Sequence, residues 1–76
     1  MNKNDRKIIQ AAIDTIEDAK AELEPIIEEL EERASNLEDK FPDKAEKLSD
    51  ESYKLQEVID NLESALSDAQ ELIEGE

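Results

Sequence analysis

The sequence predicts an all-α protein: an antiparallel two-helix hairpin, coiled-coil-like, expected to dimerise into a four-helix bundle. Three observations carry this prediction. Large aliphatic residues recur at seven-residue spacing in both halves of the chain. Strict apolar–polar alternation is absent, and β-branched and aromatic residues are few, which argues against strands. A Pro-containing break, Asp39-Lys40-Phe41-Pro42-Asp43, separates the two periodic stretches. With 76 residues the chain is read as one small domain spanning 1–76.

The first element rests on two interleaved series. Ile9, Ile16, Leu23, Leu30 and Leu37 occupy the d positions of a heptad, and Ile13, Lys20, Ile27, Ala34 and Phe41 follow at a. Ala12, Ala19 and Ile26 at g widen the stripe beyond a two-stranded seam. Glu17, Glu24, Glu31 and Glu38 fall at e. The pattern predicts a helix over about 5–39, with Asn2 or Asn4 as its N-cap. Pro25 tests this reading, because an interior proline costs a helix about 3 kcal/mol. It falls at f, facing solvent, and the heptad passes through Leu23, Ile27 and Leu30 without a slip. A kinked continuous helix is therefore favoured over a break at Glu24-Pro25, which would give three helices.

Pro42 disfavours the helical conformation at Phe41, so the first helix ends at or before that residue and a turn is placed at about 40–43. The second helix is predicted over about 44–74. Ala45, Ser52, Ile59, Leu66 and Ile73 form one series, Leu48, Leu55, Leu62 and Ala69 the other, and Val58, Ala65 and Leu72 widen the face. Asp43 with Glu46 makes a candidate capping box, Ser49-Asp50-Glu51 offers a second start, and Gly75 stands where a left-handed C-terminal cap is expected.

One hairpin of this size consumes only part of so wide a stripe, and domains below about 70–80 residues rarely gain more than ~3–5 kcal/mol from one core. A homodimer is expected on these grounds. Lys20 interrupts the apolar seam. It either pairs with a carboxylate of the facing helix and fixes register, or extends outward and specifies nothing.

Nine Lys and Arg against 23 Asp and Glu give a net charge of −14. Such a chain is not expected to bind nucleic acid or anionic lipid directly, since phosphates reward Lys and Arg clusters. It favours a basic protein partner. No apolar run approaches the ~18 residues of a membrane span, so a cytoplasmic location is expected. The acids are unevenly placed. Between Asp14 and Asp39 they are opposed only by Lys20 and Arg33, and from Glu57 onward they meet no base. The candidate partner-binding residues are Glu17, Asp18, Glu22, Glu24, Glu28, Glu29, Glu31 and Glu32, with Asp60, Glu63, Asp68 and Glu71 behind them. Carboxylates three or four apart on a helix lie about 5–6 Å from one another, the order of phosphate spacing along a strand.

Catalysis is not expected. The chain has no Cys and no His, so its hydroxyls lack the usual activating base and the usual metal ligands are missing. No catalytic residue, metal ligand or cofactor is assigned.

Phe41-Pro42 and the stretch "VIDNLESAL" at 58–66 resemble small acidic helical-hairpin proteins encoded by phages and prophages of Gram-positive bacteria. These carry a Glu-rich first helix, an aromatic or Leu followed by Pro at the turn, and an "AIDxLExA"-like second helix. The resemblance covers roughly 16–74 and assigns no activity and no site residue. By analogy with acidic phage proteins that mimic DNA, it points to an inhibitor occupying the basic nucleic-acid groove of a host defence or DNA-processing protein. The alternative is a structural or assembly coiled coil acting through its apolar a/d/g stripe.

Overall fold

A computed structural model describes residues 1–75 of the chain. It contains two helices, α1 (Lys3–Leu37) and α2 (Pro42–Glu74), and no strand among the described residues. They pack side by side and antiparallel into a rod of 58 × 15 × 12 Å.

Both helices begin earlier than the sequence predicts and α1 also ends earlier, for local reasons, while α2 ends at Glu74 as expected. Asn2 is the N-cap of α1: its side-chain oxygen accepts from the Asp5 amide at 2.8 Å, so the helix starts at Lys3 rather than near residue 5. At the other end α1 stops at Leu37, not 39. The Leu37 carbonyl accepts from the Phe41 amide at 2.7 Å, and 38–40 form the turn. The second helix starts at Pro42, two residues before the expected 44. Proline suits the first helical position, where its missing N–H is no loss. This shift overturns the Asp43–Glu46 capping box. Phe41 is the N-cap, without a side-chain cap bond, and Asp43 lies in the first turn, favourably placed toward the positive helix end. The Phe41 ring instead receives the Lys44 ammonium at 5.0 Å. α2 runs through Ser49 without interruption, so no second start exists there. Gly75 is right-handed (φ −71°, ψ −10°) rather than left-handed, and its amide donates to the Glu71 carbonyl at 2.9 Å.

The helix α1 is continuous through Pro25. The position is exposed. Pro25→Ala is therefore expected to stabilise the protein by up to ~3 kcal/mol, read as a higher urea midpoint at unchanged m-value.

The core is a single line of side chains. Ile13, Ile27 and Ala34 from α1 and Ala45, Ser52 and Ile59 from α2 are buried, and all are a positions. The d residues, Ile9 through Leu37 and Leu48 through Ala69, are only half-buried. Antiparallel pairing explains the difference. It sets e beside e on one edge of the seam and g beside g on the other, with a flanking e and d flanking g. The long e side chains cover the a layer on their edge. Nothing covers the d/g edge, where Ile26, Val58 and Leu72 remain 44 to 58% exposed.

Register is pinned by polar a–e pairs across the seam. Lys20 Nζ meets Glu63 Oε1 at 3.0 Å, and Ser52 Oγ donates to Glu31 Oε1 at 3.3 Å. Toward the open end, the Arg6 guanidinium donates to the Ile73 carbonyl at 3.5 Å. Of the two readings of Lys20, the structure shows the cross-helix pair.

Candidate protein-binding face

The e edge becomes an acidic groove because both helices contribute to it. Glu24, Glu28 and Glu31 of α1 and Gln56 and Glu63 of α2 line a shallow channel floored by Ile27 and Ile59. Toward the turn it continues past Ser49, Ser52, Tyr53 and Gln56, opposite Glu31. Toward the open end Gln10 and Gln70 border Ile13 and Ile73.

This geometry sorts the twelve sequence-predicted residues. Glu17, Glu24, Glu31 and Glu63 occupy e positions, and Glu28 and Asp60 the adjoining b positions, so these six share one side of the rod. Asp18, Glu32 and Glu71 fall at f, on the outer backs of the helices. Glu22, Glu29 and Asp68 fall at c, flanking the uncovered d/g edge. The first six are presented together to one side of the rod; the twelve are not. Some of the acids are also engaged within the chain. Glu63 pairs with Lys20, Glu31 accepts from Ser52, Glu29 pairs with Arg33 one helical turn on, and Asp60 accepts from Gln56 at 3.3 Å.

The Glu63 carboxylate raises the Lys20 ammonium above the usual lysine range, first by its hydrogen bond and then by its charge, with Glu24 and Glu17 adding to the effect. A raised lysine contributes its stability in full below the ordinary lysine range. The contribution is lost as pH rises through the folded value, so neutral solutions keep the pair intact.

Sequence reasoning missed Tyr53 and Gln56. Tyr53 is 70% exposed and stands on the same side as Glu31. An exposed aromatic beside a charged groove is the residue type that most often anchors a protein interface. Its signal was its b position in α2, which acquires meaning only once the antiparallel pairing places that edge beside the Glu-rich edge of α1.

Among the described residues no group of three or more acidic side chains is arranged to hold a metal ion. Among the same residues no helix is long and apolar enough to cross a membrane. Compared with protein-family models, curated proteins and solved structures, the chain matches none.

Proposed function

We propose that this protein is a non-enzymatic acidic binding module, a dimer of hairpins, that captures a basic nucleic-acid-binding protein through its e/b face. The observation that carries the reading is the gathering of Glu17, Glu24, Glu28, Glu31, Asp60 and Glu63 on one side of a stiff rod, with Lys20 paired to Glu63 among them. A preformed row of carboxylates needs no ordering on binding. It steers toward a positive groove and presents its charges at fixed spacing, as a nucleic-acid backbone does. The resemblance to phage-encoded acidic hairpins fits an inhibitor of a host defence or DNA-processing protein acting from the host cytoplasm.

Capture from a bacterial lysate tests this. Basic nucleic-acid-binding proteins should be retained at about 50 mM salt, released by competing duplex DNA, and largely lost by about 200 mM, because charge-driven contacts are screened over that range. Capture indifferent to both duplex and salt would count against groove occupation. It would favour the second reading, a structural coiled coil assembling through the uncovered d/g edge, which gains rather than loses when repulsion is screened.

A further inference from the structure

The uncovered d/g edge carries information about how two copies meet. Its g positions are graded along the rod. After Asp5 at the open tip of α1, they are apolar as far as the middle: Ala12, Ala19 and Ile26 on α1, Leu72, Ala65 and Val58 on α2. Toward the turn they are charged: Arg33 on α1, Lys40 in the turn itself, Glu51 and Lys44 on α2. The c positions that rim this edge hold Glu22 and Glu29 beside α1 and Lys47, Lys54 and Asp68 beside α2. The g and c positions together carry Asp5, Glu22, Glu29, Glu51 and Asp68 against Arg33, Lys40, Lys44, Lys47 and Lys54. This side of the rod is therefore neutral, and the other sides carry the whole net charge of −14. A second copy can approach here, and only here, without meeting the repulsion of the rest of the surface.

From this we infer that the d/g edge is a self-docking face, and that the two hairpins lie parallel, turn end beside turn end, related by a twofold axis along the rod. The inference rests on the dimer in the functional reading and adds its orientation. The cross-helix pairs Lys20–Glu63 and Glu31–Ser52 set which residues of α1 and α2 lie at one height. A twofold axis along the rod places α1 of one copy against α2 of the other at those same heights. Ile26 then meets Val58, Ala19 meets Ala65, and Ala12 lies near Leu72. Arg33 meets Glu51, and on the rim Glu29 meets Lys54. The one like-signed encounter, Lys40 with Lys44, falls at the solvent-washed turn. Head-to-tail stacking instead sets the charged turn end on the apolar open end, burying Glu51 against Leu72 and opposing Glu22 to its own copy. The face measures 58 × 15 Å, a projected area of about 870 Å², comparable with the ~800 Å² per partner of a standard interface.

The chain has no cysteine, so a single Asp43→Cys, in the first turn of α2, carries one spin label per copy. Pulsed dipolar spectroscopy should give a separation of about 30–40 Å, as expected for helices 8–10 Å apart with labels on opposite outer faces. A separation near the 58 Å rod length would overturn the parallel arrangement while leaving a dimer standing. A monomer in sedimentation equilibrium of the unlabelled protein, up to high concentration, would remove the dimer and this inference together while leaving the acidic face untouched. Independently, Glu29→Lys should weaken self-association by about fivefold, the upper range for an exposed ion pair, and adding Lys54→Glu should restore it. Failure of that restoration would also overturn the proposed alignment.

Discussion

Ile59→Asp should abolish the helical circular-dichroism signal of the protein at neutral pH. Ile59 is 2% exposed at the middle of the seam, between the Lys20–Glu63 and Glu31–Ser52 pairs. A carboxylate there has no cation in reach other than Lys20, which already serves Glu63. Even Ile59→Ala removes about 2–5 kcal/mol, most of what a core this thin supplies. The neighbour provides the control. Val58 is 44% exposed at g, and Val58→Ala should leave the helical signal near its original strength while weakening self-association. Full ellipticity in the Asp variant would show that the a layer does not hold the rod together.

The second large effect concerns binding. Changing Glu24, Glu28 and Glu31 together to Gln removes three charges from one edge, and the amide oxygen that replaces the Glu31 carboxylate can still accept from the buried Ser52 hydroxyl. Affinity for a captured basic protein should fall by at least about tenfold, ~1.4 kcal/mol, and its salt dependence should flatten. The same number of charges removed from f positions, as Asp18→Asn, Glu32→Gln and Glu57→Gln, should change affinity far less, because those side chains lie on the backs of the helices. Isothermal titration at two salt concentrations separates the outcomes. Equal losses from both triple variants would mean that net charge alone, not the row on the e edge, is recognised.

The apolar stripe was legible in the sequence, because a seven-residue recurrence of aliphatic residues has few competing explanations; that its a residues are buried and its d residues only half-buried was not, because the heptad treats both alike. Continuity through Pro25 was legible for the same reason: the heptad kept its phase. The helix ends were less so. Whether Asn2 or Asn4 caps α1, and whether Pro42 precedes or begins α2, depends on which of several adjacent donors and acceptors closes the turn, and the periodicity says nothing about that. The site was only half legible. Every acid could be assigned a heptad letter, but a letter names an edge of one helix. The partition of the twelve acids into a shared face, two backs and a rim appears only when the a–e pairs fix how the second helix lies against the first. Tyr53 stayed hidden for that reason. The burial of Ser52 is of the same kind: a hydroxyl at a looks like a defect until Glu31 is seen to accept from it.

The length of the rod has a consequence for competition with a duplex. Net −14 distributed over 58 Å is one unit per about 4 Å of axis, less than half the linear charge density of B-DNA, which has one per ~1.7 Å. A single hairpin is thus a dilute substitute. Two hairpins aligned along their lengths bring the figure to one unit per about 2 Å, close to the double helix, over the span of roughly 17 base pairs at ~3.4 Å each. In the proposed dimer, pairing would do more than shelter an apolar stripe: it would set the strength of the electric field offered to the proposed basic partner.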